Sequence, residues 1–158
     1  MIPMCLGDIL TYPDPQDFRI VSRKGGFGQG VICYRRFEAG DMISEMKGEI
    51  IDHMTQHSLQ IEPGVHLLDL NFAGYFLHSC SPNVFLDMKE LRVYATKTIH
   101  ENEFLEMDYA QTEDVLFKQF ACQCGATNCR GWITGSKEAA MQADPDFQVY
   151  LQKQAFVA

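Results

Sequence analysis

The chain lacks long apolar runs and has little positive charge, and each absence excludes a class of protein. None of its hydrophobic stretches approaches the ~20 residues that a membrane-spanning helix needs. Its first residues do not combine a basic region with an apolar stretch, as an export signal would. With 21 acidic against 13 basic residues, the chain also lacks the basic stripe typical of nucleic-acid binding. We therefore expect a soluble protein of the cytoplasm or nucleus that binds neither membranes nor nucleic acid directly.

Internal repeats and low-complexity segments are absent too, so a repeat architecture is not indicated. A length of 158 residues with 46% hydrophobic content fits one domain with one core. Short segments of strand-like composition separated by Gly, Asn, Asp and Pro predict a mostly β domain. These segments are Phe18 to Ser22, Gly30 to Tyr34, Met42 to Met46, Val84 to Met88 and Leu91 to Lys97.

Other parts of the chain carry a weaker structural signal. Between Ile51 and Asp69 the pattern is irregular and fits one short helix or strand, with a turn at Pro63-Gly64. The apolar spacing from Glu113 to Phe120 predicts a helix, and so does that from Asp144 to Phe156, which opens with Asp and Pro. The apolar face of the second helix either packs on its own domain or forms a dimer contact.

Three of the six cysteines lie within eight residues, in the spacing Cys122-x-Cys124-x4-Cys129. Without an export signal, this cluster suits a tetrahedral metal better than disulfides. Zinc needs four ligands, so a fourth has to come from elsewhere. Cys5 and Cys33 have no partner in spacing, and we interpret them as structural.

Four ordered motifs resemble the SET-domain family of lysine methyltransferases. The first begins at Gly28-Gln29-Gly30-Val31 and continues through Gly40-Asp41 and Gly48-Glu49-Ile50. Leu77-His78-Ser79-Cys80-Ser81-Pro82-Asn83 follows, then Asn102 to Tyr109, and last the three-cysteine cluster, which is similar to the family's post-SET tail. The resemblance covers about residues 18–133.

The resemblance implies a β-clip-like SET fold with a C-terminal pseudoknot and a post-SET zinc site. It divides the chain into a lead-in at 1–17, a SET domain at 18–117, a zinc-binding segment at 118–135 and a C-terminal appendage, expected to be helical, at 136–158. It further implies transfer of methyl groups from S-adenosylmethionine to a lysine amine, most naturally a lysine side chain of a protein or peptide. The protein is expected to be a monomer or homodimer.

The resemblance also assigns site residues. Tyr109 matches the catalytic tyrosine, and Cys80 supplies the missing zinc ligand beside Cys122, Cys124 and Cys129. The reading of Cys80 as a small buried residue is the alternative. Residues expected at the cofactor are Phe27, Gly28, Gln29, Gly30, His66, Tyr75, Leu77, His78 and Phe120, with His78 contributing through its main chain. Residues expected to line the lysine channel are Met46, Leu86 and Met107, while His53, His57 and His100 are expected to be solvated.

Several positions depart from the family pattern. Leu77 replaces an asparagine that contacts the methionine end of the cofactor, Gly74 stands where relatives often carry arginine, and Met46 replaces a channel tyrosine. Met107 occupies the position that tends to govern the number of methyl groups added, so that number is not inherited. Two alternatives to a protein lysine methyltransferase therefore stay open, a catalytically silent SET module that binds a partner protein and a methyltransferase acting on a small amine.

Overall fold

A computed structural model of the chain describes residues 13–23 and 28–157. Cys5 and Phe27, the latter expected at the cofactor, lie outside the described residues. None of the helices within these ranges has the length and apolar character needed to cross a bilayer.

Short strands make up most of the regular structure, as the sequence predicts. The strands are β1 (Phe18–Ser22), β2 (Gln29–Cys33), β3 (Met42–Glu45), β4 (Glu49–Ile51), β5 (Ser58–Glu62), β6 (Val65–Leu68), β7 (Leu77–His78), β8 (Val84–Asp87), β9 (Arg92–Ala95), β10 (Glu106–Met107), β11 (Phe120–Ala121) and β12 (Trp132–Ile133). They form small sheets with the orders β1-β2, β3-β9-β8, β4-β6-β5, β7-β10 and β11-β12. Within the described ranges, the helical elements are a 3-10 turn (Ala73–Tyr75), α1 (Tyr109–Thr112) and α2 (Pro145–Val157).

The irregular region before Asp69 contains a hairpin, because β5 and β6 pair antiparallel across the turn at Pro63-Gly64. Gly64 has a φ of 78°, which a residue without a side chain adopts at low cost. Asp69 then closes the next turn, since its buried carboxylate accepts the backbone N–H groups of Asn71, Phe72 and Ala73 at 3.0, 2.9 and 3.0 Å. This turn fixes the position of the 3-10 segment that carries Tyr75.

The helix predicted at Glu113 to Phe120 is wrong, whereas the helix after Asp144 is confirmed as α2. Tertiary hydrogen bonds stop α1 before that segment. The Glu113 carboxylate accepts the Gln60 backbone N–H at 2.8 Å, and the Asp114 backbone N–H donates to the Gln60 side chain at 2.9 Å. Both contacts hold residues 113–114 against β5, so local helical spacing is overridden.

A crossover brings two distant segments side by side. β10 pairs parallel with β7, with Glu106 opposite Leu77 and Met107 opposite His78. The Asn83 side chain holds this pairing, because its amide donates to the Phe104 carbonyl at 2.9 Å and its oxygen accepts the Glu106 N–H at 2.8 Å. This is the C-terminal crossover that the resemblance implies.

The apolar interior consists of two clusters. The larger one, the main core, is built mostly from side chains of the strands β1 to β10, including Val31, Leu67, Leu86 and Val93. The smaller one, the tail cluster, contains Cys80, Leu116 and Ile133 as its buried residues, with Tyr109, Phe120, Cys122, Cys124 and Cys129 packed against them. Tyr109 also packs against the main core, so it joins the two.

Helix α2 packs on the tail. The ring centroids of Phe147 and Tyr150 lie 5.0 and 5.7 Å from that of Trp132. The Trp132 indole N–H donates to the Gln119 side chain at 3.0 Å. At least one face of α2 therefore packs on its own chain, while Val149, Leu151 and Phe156 stay exposed.

Candidate active site and metal centre

A cleft of about 870 Å³ opens beside the crossover and extends to the tail. Its volume lies in the range of small-molecule sites. The parallel pairing of β7 with β10 brings the two central motifs to the cleft, and β11 brings Phe120 of the tail to it. Ten residues predicted from the sequence line it: the metal-site residues Cys122 and Cys124, and the residues predicted for catalysis, cofactor and channel, namely Gly28, Gln29, Tyr75, Leu77, His78, Met107, Tyr109 and Phe120.

Tyr109 begins α1 directly after the crossover, with Asp108 as the N-cap. Its hydroxyl donates to the Phe76 carbonyl at 2.6 Å. Burial raises the pKa of Tyr109 to about 12, so the phenol is neutral at pH 7. Because the hydroxyl proton is donated to the Phe76 carbonyl, the lone pairs of the Tyr109 oxygen can accept other hydrogen bonds.

His78 contributes its ring to the site, and not only the main chain that the sequence analysis emphasised. Its side chain is 2% exposed. The ring meets Tyr109 and Phe120 edge to face, with centroid distances of 5.1 and 5.6 Å. Burial lowers the pKa of His78 to about 4 despite the opposing Asp108 carboxylate, so the imidazole is neutral at pH 7.

The four cysteines singled out from the sequence lie together, with all sulfur atoms within 4.8 Å of one another. In a tetrahedral zinc site with bonds of about 2.3 Å, sulfur atoms lie about 3.8 Å apart, so small side-chain adjustments suffice. Backbone N–H groups of Arg130 and Cys124 point at the sulfurs of Cys80 and Cys122, both at 3.4 Å. Such donors stabilise thiolates, the form that binds metal.

The protonation of the free thiols explains why a cation suits this cluster. Burial raises the pKa of Cys80 and of Cys122. Burial also disfavours the Cys124 thiolate, but backbone hydrogen bonds and the neighbouring thiols outweigh it and lower the pKa of Cys124 to about 6. Converting the other thiols to thiolates so close together requires a neutralising charge, which a divalent metal that prefers sulfur ligands would supply.

An ion pair that spacing does not reveal ties this centre to α1. Arg130 donates to both carboxylate oxygens of Asp108, at 2.8 and 2.7 Å. Asp108 also accepts the Ala110 N–H at 3.0 Å. Burial alone would raise the pKa of Asp108, but the hydrogen bonds from Arg130 and Ala110 lower it. The sequence indicates this ion pair only through the neighbours of its two residues, because Asp108 precedes Tyr109 and Arg130 follows Cys129.

Four other predicted residues do not line the cleft. Gly30 faces Leu77, and a Cβ at Gly30 would lie 2.9 Å from a carbon of that side chain. His66 is buried in β6, opposite Gln60. Met46 and Leu86 are buried in the main core. Their assignments to cofactor and channel stay predictions without support from the cleft geometry.

His57 belongs to the cleft, contrary to the expectation that it is solvated. Its ring stacks on Tyr75 with a centroid distance of 4.2 Å. Its Nδ1 lies 2.9 Å from the Gly74 carbonyl and therefore donates to it. A side chain at Gly74 would collide with the carbonyl oxygens of Asp69 and His57, so this backbone excludes the arginine that relatives often carry there.

Comparisons with known proteins agree with this geometry. The sequence model of the SET domain family matches residues 28–110, just over half of the chain. The chain is 35% identical over 86 residues to the methyltransferase flvH of Aspergillus flavus, covering 53% of this chain and 48% of flvH. It is 28% identical over 131 residues to the histone-lysine N-methyltransferase ASHH3 of Arabidopsis thaliana, covering 65% and 34%.

Solved structures show the same architecture. KRYPTONITE, solved in complex with mCHG DNA and SAH, superposes with a TM-score of 0.59 and 27% identity over 73% of this chain and 28% of its own. The chain spans about half or less of the length of these relatives. The family match, the shared architecture and the grouped motif residues lead to one conclusion: the chain belongs to the SET domain family.

Proposed function

We propose that the chain is an S-adenosylmethionine-dependent N-methyltransferase that modifies lysine side chains of a protein or peptide. The observation that carries this proposal is the position of Tyr109, whose buried neutral phenol lies in the cleft beside both central motifs. The histone-lysine methyltransferase names of relatives and the SAH in the KRYPTONITE structure support it.

The cleft fits the proposed cofactor in its chemistry. Phe120 offers an aromatic surface for an adenine, next to His78. Arg23 and Glu106 also line the cleft, and their opposite charges suit a zwitterionic amino-acid group. Glu106 lies opposite Leu77 in the parallel pairing, so a carboxylate is available where the family's asparagine is missing. When bound, the cofactor supplies an electrophilic methyl group.

The chain's own residues have to present a neutral amine. A lysine has a reference pKa of ~10.4, so its neutral form costs roughly 4–5 kcal/mol at pH 7. Burial among Met107 and the aromatic rings disfavours the ammonium ion through desolvation. A strong general base is then unnecessary, and alignment becomes the main requirement.

Tyr109 provides that alignment. Its proton is held by the Phe76 carbonyl, so its oxygen accepts a hydrogen bond from the substrate nitrogen and does not donate one. An acceptor at this place orients the amine lone pair toward the electrophilic carbon. We assign the catalytic role to Tyr109, the zinc to Cys80, Cys122, Cys124 and Cys129, and the channel wall to Met107.

An acceptor screen tests the proposal. Purified protein is incubated with isotope-labelled S-adenosylmethionine and with lysine-containing proteins, the same peptides carrying Lys→Arg changes, or small amines. We expect label only in the lysine-containing macromolecules, located on the side-chain nitrogen by mass spectrometry. Label in small amines alone would show that the acceptor is a small amine and not a protein lysine. Cofactor binding without any methyl transfer would favour a catalytically silent binding module.

A further inference from the structure

The imidazole of His78 lies between the two parts of the proposed site. Its Nδ1 is 3.1 Å from the backbone nitrogen of Tyr109, and its Nε2 is 3.5 Å from the sulfur of Cys80. The side chain is 2% exposed, so water does not compete for either ring nitrogen. One buried ring therefore touches both the metal centre and the catalytic tyrosine.

The two contacts fix the proton on the ring. A backbone N–H only donates, so the Tyr109 amide requires an unprotonated Nδ1 as its acceptor. A neutral imidazole then carries its hydrogen on Nε2, which points at the Cys80 sulfur. The opposite tautomer would bring two hydrogens together between Nδ1 and the amide.

Asp108 does not offer a better partner for the ring. Its nearer oxygen is 3.8 Å from Nδ1, beyond hydrogen-bond distance. Both of its oxygens accept hydrogen bonds from Arg130. The sulfur of Cys80, in contrast, accepts the Arg130 backbone N–H and has capacity for a second donor.

We infer that His78 is a positioning residue that couples the zinc centre to Tyr109, with Nε2–H donating to the Cys80 thiolate and Nδ1 accepting the Tyr109 backbone N–H. A donor to a ligating thiolate stabilises its charge and orients it toward the metal. The same ring fixes the first residue of α1 and therefore the phenol. The catalytic consequence of this inference rests on the proposed function. The contact between His78 and the metal ligand Cys80 does not depend on that function.

Replacing His78 with Asn or with Gln tests its two hydrogen bonds one at a time. The oxygen of Asn is as far along the side chain as Nδ1, so His78→Asn keeps the acceptor for Tyr109 and loses the donor to Cys80. The nitrogen of Gln matches Nε2, so His78→Gln keeps the donor and loses the acceptor. His78→Leu removes both and is the reference for lost packing. Circular dichroism checks that each variant is folded.

The zinc affinity is measured by competition with a chromogenic chelator. We expect a fall of roughly 10- to 100-fold in His78→Asn and in His78→Leu, the usual effect of losing a partner of a metal ligand, with recovery in His78→Gln. Wild-type zinc affinity in His78→Asn would overturn the inference. This measurement needs no turnover, so it is independent of whether the protein is a methyltransferase.

The hydrogen bond between His78 and the Tyr109 backbone is tested by NMR and by single-turnover methyl transfer. We expect the Tyr109 amide proton to shift upfield in His78→Gln but not in His78→Asn, and transfer to fall roughly 10- to 100-fold in His78→Gln, as for a misplaced catalytic group. An unshifted Tyr109 amide in His78→Gln would overturn the inference. Transfer absent from the wild type would refute the proposed function alone.

A measurement on the wild type covers the case in which the variants do not fold. The imidazole ¹⁵N chemical shifts of the zinc-loaded protein identify which ring nitrogen of His78 carries the proton. Protonation at Nε2 supports the inference, and protonation at Nδ1 overturns it.

Discussion

The main core and the tail cluster are stabilised in different ways. The main core buries side chains of most strands and needs no metal to exclude water. The tail cluster buries Cys80, Leu116 and Ile133, and burying a Leu or Ile side chain contributes only about 1.5–3 kcal/mol. Ordering a residue costs roughly 1–2 kcal/mol of backbone entropy. Even with the packing of Trp132 against α2, the tail therefore has much less apolar burial than the main core to offset that cost. We therefore expect the scaffold to fold without zinc and the cofactor side of the cleft to depend on it.

The largest effect is expected from a cavity in the main core. Leu86→Ala should lower the free energy of unfolding by about 2–5 kcal/mol, because a fully buried leucine leaves unfilled volume. Zinc affinity should change little. Ile133→Ala, the matched variant in the tail cluster, should weaken zinc retention more than it lowers the stability of the strands. Denaturant unfolding and chelator competition measure both, and equal losses of zinc in the two variants would contradict the comparison.

The next effect concerns Tyr109, which packs on both clusters. Tyr109→Phe keeps the ring and removes the hydroxyl, so we expect turnover to fall at least ~10²-fold, as for a positioned catalytic group. Cofactor affinity should change far less, since the hydroxyl acts mainly in the transition state. Single-turnover transfer, cofactor titration and the melting temperature measure this.

The control is Tyr94→Phe, because Tyr94 lies in β9 and outside the lining of the cleft. A purely structural hydroxyl at Tyr109 would give a stability loss of about 1 kcal/mol with normal transfer. That outcome would remove Tyr109 as the catalytic residue.

Removing zinc should produce a smaller, local effect. A chelator titration is expected to weaken cofactor binding roughly 10-fold before the strands unfold, because the metal secures the segment that carries Phe120. Trp132 is the single tryptophan, and it lies in the tail and packs against α2. Its fluorescence therefore reports the state of the tail, whereas far-ultraviolet circular dichroism reports the strands. Unchanged cofactor affinity in the folded, metal-free protein would mean that the tail does not form the pocket.

The smallest effect is expected from pH. Burial raises the pKa of Tyr109 to about 12, from a reference of about 10 in an unfolded chain. The neutral phenol therefore contributes its stability fully below about pH 10 and loses it as the pH rises toward 12. Between pH 7 and 10 the transfer rate should rise with lysine deprotonation and show no tyrosinate step. A fall in rate over this range, absent from the residual activity of Tyr109→Phe, would contradict the burial of the phenol.

Local composition predicted five of the strands and spacing singled out three cysteines, whereas the resemblance to the SET family was needed to add Cys80. Three cysteines in eight residues leave a tetrahedral metal one ligand short, and the motif containing Cys80 supplies a fourth. The role of the His78 ring was not predictable, because it depends on Tyr109 being brought beside it by the crossover. The predicted helix after Glu113 was wrong for the same reason, since its competitor, Gln60, is 53 residues away.

The separation of the proposed zinc ligands along the chain has a consequence for biosynthesis. Cys80 contacts Arg130 at a sequence distance of 50 residues. At a synthesis rate of about 5–20 residues per second, roughly 2–10 s pass between the translation of these two residues. During that interval the nascent chain carries the Cys80 thiol without its partner cysteines, while the last members of the main core, from Val84 to Met107, are still being added. We expect the metal centre to be the last part of the protein to mature, and the step most sensitive to oxidants and to zinc supply.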